Sequence, residues 1–364
     1  MTQRLELRGH TIPLPAFLPD ATFGYVRTLT AQDLHAVSVQ AVMMNAFHLM
    51  QKPGSSVVSA LGGLHRMSGW DGLIMTDSGG FQAYSLIRQN SRYGSIGDNG
   101  IIFHPEGSDR RILLTPEKSI QLQMSYGADI LICLDDCTHA SASYQEQKAA
   151  VERTISWAAR AKQEFKRQVE TRQLDEANLP LLFAVIQGGA EQDLRQACAE
   201  ALLEIGFDGF GFGGWPLDEN SQLLTDILQF TRSVVPEAFQ IHALGIGHPQ
   251  SVSTSFRLGY QMFDCAMPTR DARHGRLYAW SDEAARPSIQ PGWFHYVYLD
   301  SEAHMRSKGP ISARCTCPCC SELSLGYLHH LYRMQDPAAQ RLATQHNLRF
   351  MTQLMEDLRS QSGS

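Results

Sequence analysis

The 364-residue sequence contains no long hydrophobic run. No segment approaches the roughly 18 apolar residues of a membrane span. The opening Met1-Thr2-Gln3-Arg4-Leu5-Glu6-Leu7 carries no apolar stretch of secretion-signal length. A cytoplasmic location without membrane contact is therefore expected. There is no excess of positive charge either: 31 Lys and Arg against 37 Asp and Glu leave a net charge of −6. That argues against broad, nonspecific nucleic-acid binding while leaving room for a local basic patch. The cysteines show no disulfide spacing, since Cys133, Cys137, Cys198 and Cys265 are isolated and the other four crowd into six residues. A secreted disulfide scaffold would be shorter and have spaced cysteines, so a reducing compartment and a metal are the better reading. Internal repeats are missing, and only the polar tail 360–364 is of low complexity.

What is present is an alternation. Short apolar runs at 15–19, 41–45, 73–77, 130–135, 181–187, 209–213, 241–245 and 262–264 are separated by longer stretches of helical character. Helices are expected over 146–170, over 192–205 with Leu194, Ala197, Ala201 and Ile205 inward, and from Pro116 through Met124 after Thr115. Parallel strands buried on both faces read as continuous apolar runs. Eight such units predict an α/β fold, a (β/α)8 TIM barrel with its site at the carboxyl ends of the strands. The competing arrangement, a doubly wound open sheet, alternates in the same way. Residues 93–114 hold glycines, a Pro-Glu-Gly turn and β-branched residues, which suggests an inserted hairpin. The whole chain, 1–364, reads as one barrel domain, with a small C-terminal zinc-binding subdomain at about 310–350.

Cys315-Thr316-Cys317-Pro318-Cys319-Cys320 offers several thiolates within one tight turn. Zinc requires four tetrahedral ligands, and three from this knuckle would need one histidine more. His346 lies in the helical stretch 338–358, with His329 and His330 as rivals. The spacing does not say which cysteine is left out. Asp77, Asp135, Asp136 and Asp264 each close an apolar run. Each alone reads as a turn or cap residue. Together at a barrel mouth they suit chemistry at an anomeric carbon, where one carboxylate attacks and another moves protons. A metal-dependent hydrolase would add strand-end histidines, for which His48 and His242 are the obvious candidates.

In chain order the sequence presents Asn45-Ala46-Phe47-His48-Leu49, Asp77-Ser78-Gly79-Gly80-Phe81-Gln82, Asp135-Asp136-Cys137-Thr138, Ile186-Gln187-Gly188-Gly189, Phe263-Asp264-Cys265, Met267-Pro268-Thr269-Arg270, the cysteine knuckle and Tyr327-Leu328-His329-His330. This ordered set resembles the tRNA-guanine transglycosylase family over nearly the whole chain. The resemblance implies a (β/α)8 barrel and exchange of the wobble guanine of GUN anticodons for a 7-deazaguanine in queuosine biosynthesis. It implies Asp264 as nucleophile at the ribose and Asp77 as general acid/base. Asp135, Gln187, Gly214, Ser78, Phe81, Cys137 and Leu244 would surround the base, and Arg270, Arg273 and Arg276 would hold RNA phosphates. The family's ligand pattern selects Cys315, Cys317, Cys320 and His346 for one structural zinc and leaves Cys319 spare. The implied partners are the tRNA anticodon loop, guanine with a 7-deazaguanine base, and a second copy of the chain.

The chain departs from the bacterial pattern after Gly213-Gly214, where Trp215-Pro216-Leu217-Asp218-Glu219 reshapes the wall facing the base's 7-substituent while keeping Glu219. Cys137 resembles enzymes that use 7-aminomethyl-7-deazaguanine, the favoured incoming base, with queuine the runner-up. A DNA-modifying paralogue and a non-catalytic RNA-binding partner subunit are the readings from other classes. The latter is opposed by the retained Asp77 and Asp264.

Overall fold

A computed structural model describes residues 3–104, 111–139, 142–218, 220–282, 284 and 288–362. Eight parallel strands form the centre: β1 (Ala16–Pro19), β2 (Ala41–Asn45), β3 (Leu73–Asp77), β4 (Ile130–Ile132), β5 (Leu181–Ile186), β6 (Gly209–Phe212), β7 (Gln240–Ala243) and β8 (Met262–Cys265). Each pairs with its neighbours in the order β1-β8-β7-β6-β5-β4-β3-β2. The remaining seam, between β1 and β2, is joined by a parallel bridge from Asp20 to Met43 and by the Ala21 N–H donating to the Met43 carbonyl at 2.7 Å. The sheet thus closes on itself, and the open-sheet alternative falls.

The apolar runs are continuous because both faces are covered. Val42, Ile74, Leu131 and Ala184 face the helices, while Met43, Met75, Ile132, Phe183, Val185 and Met262 fill the barrel interior. The first two strands of the chain, Arg4–Leu7 and His10–Pro13, form a hairpin that adds Leu5, Leu7 and Ile12 to that interior. In β6 the pattern Gly-Phe-Gly-Phe directs Phe210 and Phe212 outward and leaves the inward positions bare. The missing side chains make room for neighbours: a Cβ on Gly209 would fall 2.4 Å from the Phe183 ring, and one on Gly211 2.8 Å from Leu244.

Helices lie where caps and periodicity place them. Thr115 caps Pro116–Tyr126, and a Ser143–Glu146 capping box opens Tyr144–Arg172. Two details differ from the sequence reading. Gln192–Ile205 is helical, but it buries Leu194, Arg195, Cys198, Ala199 and Leu202 and leaves Ala197 exposed, because Arg195 turns inward to serve backbone carbonyls. The insertion is a three-stranded antiparallel sheet, Gly94–Gly97, Gly100–Phe103 and Ile112–Leu114, rather than a hairpin; its Pro-Glu-Gly turn lies outside the described residues. The apolar run Ile112–Leu114 supplies the third strand.

The C-terminal helix Pro337–Ser362 packs over the β8 and β1 side of the barrel. Arg341 and Gln345 bind Asp33, Asn347 reaches the carbonyls of Pro268 and Arg276, and Arg359 donates to the carbonyls of Pro13 and Pro15. Among the described residues no helix is long and apolar enough to cross a membrane.

Candidate active site

Strand parity builds the site. Residues two apart share a face, so the inward series Ala41, Met43 continues to Asn45, and Leu73, Met75 to Asp77. By the same rule Phe183, Val185 leads to Gln187, and Met262 to Asp264. The apolar interior therefore ends, at the carboxyl side, in a polar layer. Register confirms the level, since Asn45 stands opposite Asp77 across β2 and β3.

Asp77 accepts from Asn45 Nδ2 at 3.0 Å, from the Gly79 N–H at 3.4 Å and from the Gln82 side chain. Burial and then the nearby Asp264 charge push its pKa above the ordinary carboxylate range, with those donors opposing. The Gly79 turn is obligatory: φ is 87°, and a Cβ there would fall 2.3 Å from Phe47 Cβ. Asp264 is partly exposed and takes the Gly245 N–H on Oδ1 at 2.9 Å. Asp135, near enough to Asp77 to feel its charge, is held at Oδ2 by Gln187 Nε2 at 2.6 Å. Burial raises Asp135 to about 7, opposed by the Gln187 hydrogen bond and reinforced by the charges of Asp77 and Asp136. Gln187 Oε1 is buried with no partner among the described residues.

Cys137 is buried within reach of the Gln187 side chain and the Gly214 N–H, and burial raises its pKa. Ser78 is buried beside Asp77, its hydroxyl 3.5 Å from Oδ1. Leu244, partly buried, packs against the barrel interior. Phe81 is 40 % exposed, with its ring edge-on to Trp215 at 5.8 Å; Trp215 is 43 % exposed and also meets His139. Glu219 lies outside the described residues.

The three arginines are divided between two elements. Arg270 and Arg273 sit on the helix Met267–Arg273 just after β8, and Arg273 is close enough to Arg27 and Arg270 to feel their charges. Arg276 opens the next strand, pairs with Asp271 at 2.7 Å and lies over the Tyr296 ring at 5.0 Å. Asn45, which opens one of the motifs, sits in the polar layer, while Arg27 and Arg195 adjoin the site without having been singled out in the sequence. Arg195 donates to the carbonyls of Ile186, Gly189 and Gly213, bracketing the loops after β5 and β6. Asn45 carried a signal, a polar residue ending an apolar run, whereas an arginine on a helix gives none.

A second cluster lies away from the mouth. Ligand atoms of Cys315, Cys317, Cys320 and His346 all fall within 4.8 Å of one another. Tetrahedral zinc with bonds of about 2.0–2.3 Å sets its ligands about 3.3–3.8 Å apart. Cys320 Sγ is 3.3 Å and Cys317 Sγ 3.8 Å from His346 Nδ1, while His346 Nε2 meets the Tyr278 carbonyl at 2.7 Å. That second contact fixes the ring with Nδ1 toward the sulfurs, as metal-ligating histidines require. His329 is occupied by the Leu299 carbonyl, His330 is exposed, and Cys319 is buried outside the group. The group can hold a metal ion.

A family model described as Queuine tRNA-ribosyltransferase matches residues 2–361. The chain belongs to that family. It is 35% identical over 356 residues to the queuine tRNA-ribosyltransferase of Idiomarina loihiensis, covering 98% of this chain and 88% of the relative. The enzymes of that name from Pseudoalteromonas translucida and Syntrophobacter fumaroxidans are 36% and 35% identical, with the same two coverages. Membership makes the chain a pentosyltransferase of the tRNA-guanine transglycosylase type.

Proposed function

We propose that the enzyme exchanges the wobble guanine of GUN anticodons for 7-aminomethyl-7-deazaguanine through a covalent bond between Asp264 and the ribose. The observation that carries this reading is the meeting of Asp77, Asp264 and the Asp135–Gln187 pair in one polar layer. Asp264 attacks C1′ as the bond to guanine breaks, and the electron pair leaves with the base. The departing guanine takes a proton from Asp77, a role that its burial, which raises its pKa, favours. The incoming base returns a proton to Asp77 as its ring nitrogen attacks C1′ and expels Asp264. An unstacked anticodon base can enter such a pocket, as a paired one cannot.

Asp135 accepts from the ring N–H and amine of the guanine edge, and the Gly214 N–H donates to its carbonyl oxygen. Gln187 Nε2 serves the same oxygen only after leaving Asp135. Ser78 and Cys137 line the pocket, and Phe81 and Leu244 flank the base. Arg270 and Arg273 take phosphates, with Arg276 braced behind them. Cys315, Cys317, Cys320 and His346 hold one structural zinc, closed to substrate. The enzyme works in the cytoplasm as a homodimer.

Radiolabelled guanine offered with tRNA and with duplex DNA tests the reading. Label is expected in tRNA alone, and Asp264→Asn should abolish both exchange and an RNA adduct stable to denaturing gels. Label entering only DNA would overturn the substrate, and 7-deazaguanine competition would separate the aminomethyl base from queuine.

A further inference from the structure

The imidazole of His242 lies inside the barrel on β7, fully buried, at the level below the reactive layer. Its Nε2 stands 2.9 Å from Asp264 Oδ1. In this conformation the ring N–H does not lie along that line, so neither ring nitrogen has an aligned hydrogen-bond partner among the described residues. A buried polar group left unpaired is costly, and a hydrocarbon side chain would fill the same space without that cost. The neighbouring interior is apolar, with Met262 directly across in register. Among the described residues, the one charged group paired with the ring is the Asp264 carboxylate.

The same oxygen, Oδ1, already accepts the Gly245 N–H at 2.9 Å. Both donors within reach therefore converge on Oδ1, and among the described residues Oδ2 has none. We propose that His242 is a positioning residue for Asp264: it holds Oδ1 so that Oδ2 is the oxygen that bonds the ribose. This rests on the reading of Asp264 as nucleophile. While the ribosyl ester exists, Oδ1 is its carbonyl oxygen and keeps both donors. When the incoming base expels Asp264, the electron pair of the C1′–Oδ2 bond returns to the carboxylate, and the His242 N–H meets the restored charge. A small ring rotation aligns that N–H, and a donor aimed at where charge develops acts on the rate more than on ground-state binding.

The test compares His242→Phe, which keeps a ring but no donor, with His242→Gln, which restores one at similar reach. Release of the preformed tRNA adduct by added guanine in a single turnover should slow about 10- to 100-fold in the Phe variant. KM for guanine should stay within about twofold, and the Gln variant should recover most of the rate. A purely structural role would lower the thermal midpoint of both variants without this split. Should the Phe variant fail to fold, His242→Asn, too short to reach Oδ1, replaces it against Gln. Equal rates for the donor and non-donor variants, or a Phe variant at the wild-type rate, would overturn the proposal. Asp264→Asn run in parallel separates the failures: an adduct in that variant sinks the nucleophile itself. No adduct there, with full speed in His242→Phe, sinks only the positioning role.

Discussion

The barrel mouth and the Cys315–His346 cluster are both polar groups set in apolar surroundings, and they resolve that problem in opposite ways. In the cluster each donor points inward at one centre, and the histidine's outer nitrogen is satisfied by Tyr278. At the mouth the carboxylates repel one another, Asp77 and Asp135 are pushed toward neutrality, and Gln187 Oε1 and both His242 nitrogens lack aligned partners. A closed shell gives stability, whereas unsatisfied groups held at fixed positions are ready for a substrate that completes them. Burial alone does not tell a structural site from a reactive one; the number of polar atoms left waiting does.

The comparison breaks most sharply at Asp77. Asp77→Asn keeps the shape and the Asn45 contact but removes the proton donor, so kcat should fall about 10²- to 10⁴-fold with little change in thermal midpoint. A comparable loss of stability would mean that the mouth is structural as well. Cys320→Ser should do the reverse, losing bound zinc and lowering the midpoint, with activity reduced in proportion to the folded fraction. Cys319→Ser should retain the metal; zinc analysis of both proteins decides which thiolates ligate.

A milder test concerns pH. Asp135 must be ionised to accept from guanine, and with its pKa raised to about 7 it is mostly protonated in acid. The apparent KM for guanine should therefore rise about tenfold per pH unit below 7 and level off above it. Asp135→Asn should flatten that dependence, and a flat wild-type profile would remove Asp135 from base recognition. The smallest effect separates two arginines. Arg270→Ala should raise KM for tRNA and reduce the salt slope by about 1. Arg276→Ala should chiefly lower stability through the loss of its pairing with Asp271.

The barrel was legible because two-sided burial leaves an unbroken apolar signature, and the placement of Asp77 and Asp264 at strand ends because they end such runs in a charge. The length of β4 was not legible. Its run continues to Asp135, but the strand stops at Ile132, since the following backbone turns to meet Thr154, whose hydroxyl takes the Asp136 N–H at 3.0 Å. The spacing of the arginines did not show that the helix ends at Arg273, nor that Asp271 sits beside Arg276. His242 figured only as a candidate for metal-hydrolase chemistry, because a histidine within an apolar run carries no mark of the carboxylate it will meet one strand away.

The C-terminal helix has a bearing on how the molecule can be assembled. Arg359 reaches back 346 residues to Pro13 and 344 to Pro15, and Arg341 reaches 308 to Asp33. The first barrel strand is thus covered by a segment made more than 300 residues later. Contacts so distant in sequence form late and slowly. Until they form, β1 has neither its helix nor the strand that carries Asp264. Synthesis therefore leaves the nascent chain, for most of its length, with an exposed strand edge that only its own far end can cover.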